Sequence, residues 1–297
     1  MSNRIIRDVE FDYVIVDEAA KATFPELAVS LNKAHKIILV GDHQQLPPVL
    51  DTEIIRNNKE KLDEEGLAQG IFERMYNMFP EDNKHRLTIQ YRMHPTIGTL
   101  ISHVFYNDEI QNGVEAQDRE LCIEGYEGIA IEWISTSKYS IKERYEKEFD
   151  NNGKKSYQNY LERNIIERKL LELDSKLVKR TKVAVITGYG SQKYILQTMV
   201  KQHSFKHIEV DVDTVDAFQG SQKDIILYST VRSSGNKYGI GFLKSEARIN
   251  VAFSRARCLL IIVGDMKFLD NYKIRGNKFP EIIKYITESE GCRIIEK

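Results

Sequence analysis

The sequence has few cysteines, no long apolar run and almost no net charge, and each shortage excludes a class of protein. Its three cysteines, Cys122, Cys258 and Cys292, are far apart and odd in number. They fit neither a disulfide framework nor a zinc site, and they indicate an intracellular chain. The longest apolar runs, such as Cys258–Val263, have the length of a strand, so a membrane span is excluded. The first residues are polar and charged, so we expect no signal peptide and a cytoplasmic location, with a nuclear one left open.

The formal net charge of −1 gives no global basic field, so any nucleic-acid surface must be a local patch. The sequence also lacks the phosphate-binding loop G-x-x-x-x-G-K-[ST], the Walker A loop, whose backbone amides and lysine cradle nucleotide phosphates. Its one Gly-Lys pair, Gly153-Lys154, is followed by another lysine and lies in a polar stretch rather than after a strand. We therefore exclude that pair as a phosphate loop.

An acid pair, Asp17-Glu18, directly follows the short apolar run Tyr13–Val16. Such a run is typical of a strand buried on both faces of a parallel sheet. The carboxyl ends of parallel strands border the crevice where such sheets bind ligands. In P-loop hydrolases an aspartate at this place helps to hold the Mg²⁺ that bridges the nucleotide phosphates. The acid pair therefore predicts a magnesium–nucleotide site.

Strand-like runs alternate with stretches of helical period, which predicts βαβ units and parallel sheets. At 297 residues the chain is long enough for roughly two domains. We predict a division near residues 80–86, with 1–82 as the end of a first domain and 83–297 as a nearly complete second one. The charged stretch 51–66 is predicted to connect domains, and the polar stretch 138–156 to be a solvated loop or insertion. The predicted strands are Phe11–Val16, Lys36–Val40, Leu87–Gln90, Ile129–Ile134, Lys182–Thr187, Ile208–Val212, Asp224–Thr230 and Cys258–Val263.

Two helices can be predicted from local signals. Pro25 is suited to a first helical turn and predicts a helix over Glu26–Ala34. An apolar stripe that begins at Leu161 and ends at Leu177 predicts a second helix with one buried face.

Four further stretches each have an ordinary explanation when taken singly. Gly41–Pro48 could be a plain turn or a ligand-sensing loop. Arg92 could form a surface salt bridge or a bidentate phosphate contact. The polar residues around Gly220 could let backbone amides approach a phosphate. In the helical stretch Arg248–Arg257, the apolar residues are expected to face inward and the arginines, Arg255 included, to face outward. Taken alone, these arginines could form merely a solvated helix face.

Together and in this order, these stretches closely resemble superfamily-one helicases, in the branch that contains the nonsense-mediated mRNA decay helicase and its DNA-directed relatives. The resemblance runs from about residue 8 to about residue 268. The matching stretches are Asp17-Glu18-Ala19-Ala20, Gly41–Pro48, Gln90–Pro95, Val215–Gly220, Gly239–Leu243 and Asn250–Arg257.

Members of this family have two RecA-like domains, with ATP in the cleft between them and single-stranded nucleic acid across the top. The resemblance therefore implies an α/β fold of the P-loop NTPase type. A partial first RecA-like domain would be followed by a nearly complete second one with a parallel sheet. It also implies ATP and Mg²⁺ as cofactors and single-stranded DNA or RNA as partner, with no membrane. Because the Walker A loop precedes the acid pair in the family, we further expect a missing amino-terminal ATPase portion or a complementary chain.

The resemblance also assigns roles in ATP hydrolysis. Asp17 would coordinate Mg²⁺, and Glu18 would orient or deprotonate the attacking water. Gln45 would sense the γ-phosphate and couple it to the second domain. Arg92 and Arg255 resemble the family's two arginine fingers.

Further contacts follow from the same motif matches. The positions that would contact the nucleotide are Asp17, Asp42, Gln219, Gly220 and Gln222. Thr187 and Thr214 would contact nucleic-acid phosphates. The chain departs from the family pattern at two places: Gln222 replaces a common glutamate, and Gly188 replaces the proline of a Thr-Pro-Tyr-x-x-Gln stretch.

Two hypotheses of function follow. The first is the carboxyl-terminal part of an ATP-dependent DNA or RNA helicase or translocase, inactive as an ATPase by itself because it lacks the Walker A loop. The second is a non-catalytic nucleic-acid-binding or scaffold module derived from a helicase. The first is favoured because a scaffold has no physical need for Asp17, Glu18, Gln45, Arg92 and Arg255 together.

Overall fold

The computed structural model describes residues 9–48, 70–151, 154–233, 239–272 and 274–296. The described residues fall into two compact units, divided between Arg86 and Leu87, and each unit is described by itself. The sequence predicted a division after residue 82. The predicted connection over 51–66 lies outside the described residues.

The first unit is a small parallel sheet with helices packed against it. Strand β1 (Phe11–Val16) pairs in parallel with β2 (Ala34–Leu39), and the register places Val16 opposite Leu39. Helix α1 (Phe24–Leu31) connects the two strands, and helix α2 (Ile71–Met78) follows.

Helix α1 begins as its sequence predicts and ends earlier. Thr23 and Glu26 form a capping box, in which the Glu26 carboxylate accepts a hydrogen bond from the Thr23 amide at 2.7 Å. At the other end, the Asn32 side chain donates to the Ala28 carbonyl at 2.9 Å and closes the last turn. The prediction that the helix continues to Ala34 is wrong, because the chain has already entered β2 there.

The expectation that β1 is buried on both faces is wrong for the described unit. Successive side chains of a strand point to opposite faces. Val16 packs against the small core of Ala19, Leu27 and Phe72. Tyr13 and Ile15 lie on the other face, where Ile15 is 67% exposed.

The second unit is built on a six-stranded parallel sheet. Its elements are β3 (Ile89–Gln90), α3 (Pro95–Phe105), β4 (Gln111–Asn112), β5 (Ile131–Ser135), α4 (Ile141–Arg144), β6 (Lys147–Asn151), β7 (Lys154–Gln158), α5 (Tyr160–Lys176), β8 (Thr181–Thr187), α6 (Gly190–Val200), β9 (Ile208–Thr214), β10 (Lys223–Ser229), α7 (Glu246–Phe253), β11 (Ala256–Gly264), α8 (Met266–Asn271), α9 (Phe279–Glu288) and β12 (Cys292–Glu296). The strand order is β12-β5-β11-β10-β8-β9, and the neighbouring strands of this sheet all run parallel. The predicted α/β class with a parallel sheet is confirmed.

Helix α5 carries the predicted apolar stripe into the core of this unit. Ile165, Ile166, Leu170 and Leu173 are buried and pack against the strands of the sheet. Among the helices that the structure describes, none combines the length and the apolar character needed to cross a membrane.

The polar stretch 138–156 is more regular than its composition predicts. It contains α4 and β6, and β6 pairs with β7 as an antiparallel hairpin. Lys155 and Glu148 form an ion pair across this hairpin at 2.8 Å. Charged side chains that pair across two strands explain why a stretch without an apolar pattern forms a hairpin.

We predict that Gly264→Ala destabilises the second unit. A Cβ at Gly264 would lie 2.8 Å from Thr230 Cγ2, and overpacking of this kind typically costs about 1–3 kcal/mol. The unfolding free energy can be followed in urea by the fluorescence of Trp133, the one tryptophan of the chain, whose buried indole donates to the Gly264 carbonyl at 3.2 Å.

The matched control is Gly190→Ala, because a Cβ at Gly190 meets nothing within 4 Å. Its unfolding free energy should equal that of the wild type or exceed it slightly. Equal stability of the two variants would contradict the packing argument.

Candidate functional site

The acid pair forms a tight turn where β1 ends. Glu18 adopts the left-handed conformation, with φ 54° and ψ 34°, which is uncommon for a residue other than glycine. The Asp17 carboxylate accepts a hydrogen bond from the Glu18 amide at 2.9 Å. The next amide, that of Ala19, donates to the Val40 carbonyl at 2.8 Å. Both acid side chains are exposed at this turn, which is joined to the end of β2.

The loop after β2 positions a glutamine beside the acid turn. Gly41 permits close packing, because a Cβ there would lie 2.8 Å from the Ala20 nitrogen. Asp42 accepts hydrogen bonds from the Gln44 amide at 3.0 Å and from Gln45 Nε2 at 2.8 Å. Since β1 and β2 are parallel, the acid turn and this loop leave the same edge of the sheet. This edge of the first sheet thus carries the carboxylates of Asp17 and Glu18 together with the oriented side-chain amide of Gln45.

The donors at this edge fit a magnesium ion. Mg²⁺ is usually bound by one or two carboxylates together with water and the phosphates of a substrate. Asp17 offers such a carboxylate in an exposed position. Within the described ranges, no group of three or more histidine, cysteine or acidic side chains could hold a metal ion. With Asp17 as a carboxylate ligand, an Mg²⁺ at this edge would take its remaining ligands from water and a phosphate.

In the second unit, two arginine-bearing stretches that are distant in sequence contact each other. Arg92 Nη1 donates to the Ser254 carbonyl at 3.4 Å. The amide of His94 donates to the Arg257 carbonyl at 2.7 Å. The structure thus brings the predicted residues Arg92 and Arg255 into one region.

Two side chains hold the Arg92 loop in place. Gln90 Oε1 accepts hydrogen bonds from the amides of Arg92 and Met93 at 2.9 and 2.8 Å. Arg119 donates to the carbonyls of Tyr91 and Arg92 at 2.7 and 2.9 Å. Sequence reasoning missed Arg119, and no local signal could have found it, because its partners are main-chain groups far away in sequence.

The expectation that Arg255 lies on an exposed helix face is wrong. Helix α7 ends at Phe253, and Arg255 follows it with only 2% of its surface exposed. Its guanidinium donates to the carbonyls of Val251 and Ser221 at 3.2 and 3.4 Å. The positive charge is therefore preorganised within the protein rather than solvated.

The neighbouring arginines are also engaged with other elements. Arg248 forms two hydrogen bonds with the Asp216 carboxylate, at 3.2 and 3.0 Å. Arg257 pairs with Asp224 at 3.0 Å. These ion pairs hold the stretch around Gly220 against Arg248–Arg257. The alternative that these arginines form merely a solvated helix face is therefore excluded.

The predicted nucleic-acid threonines are adjacent at the carboxyl ends of β8 and β9. Thr187 pairs with Thr214 in the sheet, and the Val215 amide donates to the Thr187 carbonyl at 3.1 Å. Thr187 is fully buried, and its hydroxyl has no hydrogen-bond partner among the described residues. Thr214 is partly exposed. A ligand at this edge can therefore reach Thr214 directly, whereas Thr187 Oγ1 lies beneath the surface.

The predicted nucleotide contacts around Gly220 differ in accessibility. Gly220 has a φ of 83°, which favours glycine. Gln222 is exposed. Gln219 is partly buried, and its Oε1 is buried without a hydrogen-bond partner in the part of the chain that the structure describes. A buried acceptor left unpaired is costly, so Gln219 is the one of the three whose environment indicates a further partner.

A buried carboxylate stabilises the strained turn after β10. Glu162 on α5 is fully buried and accepts hydrogen bonds from Ser229 Oγ at 2.6 Å and from the Val231 amide at 2.9 Å. Val231 has a φ of 68°, a strained conformation for a β-branched residue. The pKa of Glu162 is raised to about 8, chiefly by burial and to a smaller extent by the nearby Glu146, and these hydrogen bonds oppose the rise. No local signal pointed to this role, because Glu162 is one of four acids in α5 and its partners lie at the end of a strand far away in sequence.

The second unit has the α/β fold of a P-loop NTPase domain, built on a parallel sheet. The family model described as "AAA domain" matches residues 67–267, and a second model with the same description matches residues 1–53. The chain belongs to the AAA domain family of superfamily-one helicases, in the branch that contains the nonsense-mediated mRNA decay helicase and related DNA helicases.

Named relatives agree with this assignment. A regulator of nonsense transcripts 1 homolog from Neurospora crassa is 35% identical over 90% of this chain and 24% of its own length. The ATP-dependent helicase NAM7 from Saccharomyces cerevisiae is 35% identical over 97% of this chain and 28% of its own. The DNA polymerase alpha-associated DNA helicase A of the same yeast is 31% identical over 91% of this chain and 40% of its own. The chain thus spans well under half the length of these relatives.

The solved structures that match this chain resemble it only weakly. The solved structure of the PRRSV helicase covers 84% of this chain, and this chain covers 34% of that one. The TM-score is 0.41 at 17% identity, so the family assignment depends on the sequence comparisons.

We predict that the Glu162 carboxyl makes stability depend on pH. Its pKa is 4.5 when unperturbed and about 8 in the folded protein, so folding favours its protonated form. Its contribution is fully present below the unfolded pKa and is lost as the pH rises through the folded pKa. The unfolding free energy of the wild type should therefore fall, relative to that of Glu162→Gln, between about pH 4.5 and about pH 8.

Urea unfolding followed by Trp133 fluorescence across that range measures the difference. Glu209→Gln, a substitution in a side chain that is 49% exposed, serves as the control and should keep the wild-type pH profile. A constant difference between the wild type and Glu162→Gln at all these pH values would exclude titration of Glu162 as the cause.

Proposed function

We propose that this chain supplies the magnesium-binding and water-activating acids and the arginine fingers of an ATP-dependent helicase or translocase that acts on DNA or RNA. The observation that carries the proposal is the contact between the Arg92 and Arg255 stretches, in which Arg92 donates to the carbonyl of Ser254 at 3.4 Å. Two arginine-bearing stretches that contact each other in this way suit a ligand with several phosphate oxygens.

The acids of the first unit would serve the same reaction. Asp17 would hold Mg²⁺, which when bound neutralises charge on the nucleotide phosphates. Glu18, exposed beside it, would orient the attacking water or accept its proton. Gln45 would sense the γ-phosphate, with its amide held by Asp42 at 2.8 Å. The proposed order of events is phosphate binding, water activation and charge stabilisation by these residues.

The two arginines would stabilise the transferring phosphoryl group. Negative charge spreads over its oxygens in the transition state, and an arginine finger is typically worth about 10³–10⁵ in rate. Arg255 is suited to this role because its guanidinium is already desolvated and held by main-chain carbonyls, so little reorganisation is needed during the reaction.

Nucleotide contacts would come from Asp42, Gln219, Gly220 and Gln222, and nucleic-acid contacts from Thr187 and Thr214. Relatives with an RNA-related name and with a DNA-related name are both similar to this chain, so the proposal covers either nucleic acid. The cofactors would be ATP and Mg²⁺.

The Walker A loop would have to come from another segment of polypeptide or from a second chain. Residues 1–297 contain no such loop, and its lysine and backbone amides provide most of the binding of the β- and γ-phosphates. We therefore propose that 1–297 alone is inactive as an ATPase and that the activity belongs to the complete assembly.

The test measures Mg²⁺-dependent ATP hydrolysis with single-stranded DNA or RNA, for 1–297 and for a polypeptide in which a Walker A segment precedes it. We expect background hydrolysis from 1–297 and stimulated hydrolysis from the longer polypeptide. In the latter, Glu18→Gln should lower the turnover by about 10²–10⁴-fold, as loss of a general base does. Arg92→Ala and Arg255→Lys should lower it by about 10³–10⁵-fold.

Arg180→Ala is the matched control, because Arg180 is 77% exposed and precedes β8, whose opposite end carries Thr187. Its turnover should equal that of the wild type, and Trp133 fluorescence should confirm that all variants are folded. Hydrolysis by 1–297 alone that Glu18→Gln abolishes would refute the need for a Walker A loop. Full turnover by Arg92→Ala would refute the proposed role of Arg92, and an inactive longer polypeptide would refute the helicase proposal.

A further inference from the structure

We propose that Phe242 is a stacking platform for one base of the single-stranded nucleic acid. This inference depends on the proposed function, because it assumes that the carboxyl edge of the second unit binds a nucleic-acid strand. It adds a residue for base contact, which neither the motif matches nor the comparisons assign.

Phe242 lies at the edge of the sheet where the predicted nucleic-acid threonines lie. It belongs to the 3₁₀ turn Gly241–Lys244. A Cβ built on Gly188, which follows Thr187 directly, would lie 3.3 Å from the Cβ of Phe242. Gly188 is also the position where this chain lacks the family's proline, and the absence of a side chain lets Phe242 approach the end of β8 closely.

The ring is held from two sides by side chains that are themselves fixed. Tyr189, which is 3% exposed, packs against it with ring centroids 5.2 Å apart. The Arg248 guanidinium lies 4.8 Å from the Phe242 ring centroid. Arg248 is in turn held by its two hydrogen bonds to Asp216. A ring that is fixed before the ligand arrives loses little conformational entropy on binding.

The ring nevertheless remains open to a ligand. Phe242 is 42% exposed, and the neighbouring Lys244 is exposed as well. Single exposed apolar side chains are ordinary on protein surfaces. Phe242 differs because it is exposed, backed by the Arg248 guanidinium and close to Gly188, the residue that follows Thr187. An aromatic surface beside positive charge is the combination that binds single strands with little sequence preference, since every base has a π-face.

The simpler alternative is that Phe242 only covers Tyr189. The two roles differ in what can replace the ring. A cover needs an apolar side chain of similar size, so leucine would suffice. A stacking platform needs an aromatic ring, and it acts only when the strand carries bases.

The experiment uses 1–297 and measures its affinity for fluorescently labelled oligo-dT and oligo-U of one length by anisotropy. A third probe is an abasic deoxyribose-phosphate strand with the same charge. We expect Phe242→Ala and Phe242→Leu to weaken binding to the strand with bases by about 5- to 150-fold, which is the usual alanine-substitution effect of one stacked base converted at tenfold per 1.4 kcal/mol. Phe242→Trp should bind as the wild type does, and the abasic strand should bind equally to all variants.

Tyr194→Ala is the matched control, because Tyr194 is an aromatic residue on α6 that is 68% exposed. It should not change any of the affinities. Trp133 fluorescence checks folding, and the pair Phe242→Leu and Phe242→Trp carries the test if Phe242→Ala does not fold.

The inference is overturned if Phe242→Leu binds oligo-dT and oligo-U as the wild type does, or if its loss is equally large on the abasic strand. In both cases the proposed function stands. If the wild type binds none of the three probes, the nucleic-acid part of the proposed function fails and the inference fails with it.

Discussion

The hydrogen bond from the His94 amide to the Arg257 carbonyl, 2.7 Å long, joins the two parts of the second unit on which the proposed chemistry depends. It fixes the loop that carries Arg92 against the start of β11. On the loop side, His94 Nδ1 also accepts a hydrogen bond from the Thr96 amide and caps α3. On the other side, β11 continues as a central strand of the sheet, paired with β10 and, from Leu260 onward, with β5. This main-chain contact thus connects an arginine loop to a central strand of the sheet.

Hydrogen bonds to main-chain groups also position both arginines of the proposed site, Arg92 and Arg255. Gln90 and Arg119 bind the main chain of the Arg92 loop, and the Arg255 side chain binds main-chain carbonyls instead of solvent. Main-chain groups of regular elements and tight turns move little, so they hold a guanidinium in a defined direction. Such preorganisation is what electrostatic stabilisation of a phosphoryl transition state requires. The strained Glu18 turn gives the acid pair a similarly defined position in the first unit.

Apolar patterning predicted five of the six strands of the large sheet and the edge where the predicted ligand residues lie, but it missed β12. Buried parallel strands such as Thr181–Thr187 and Ala256–Gly264 appear in the sequence as continuous apolar runs, and the predicted ligand residues follow the ends of such runs. What the pattern could not predict is tertiary. The end of α1 depends on a side-chain cap by Asn32, and the burial of Arg255 depends on carbonyls contributed by a distant loop. Glu162 shows the same limit, since its partners Ser229 and Val231 are brought to it only by the folded sheet.

The central claim is that Arg92 and Arg255 act on one phosphoryl group as neighbours. A double-mutant cycle on ATP turnover tests it most directly, with Arg92→Ala, Arg255→Lys and the double variant in the polypeptide that carries the Walker A segment. Residues that share a network typically show coupling energies of about 0.5–3 kcal/mol, so the double variant should differ from the product of the two single losses by the corresponding factor. Losses that simply multiply, as they do for independent sites, would contradict the account.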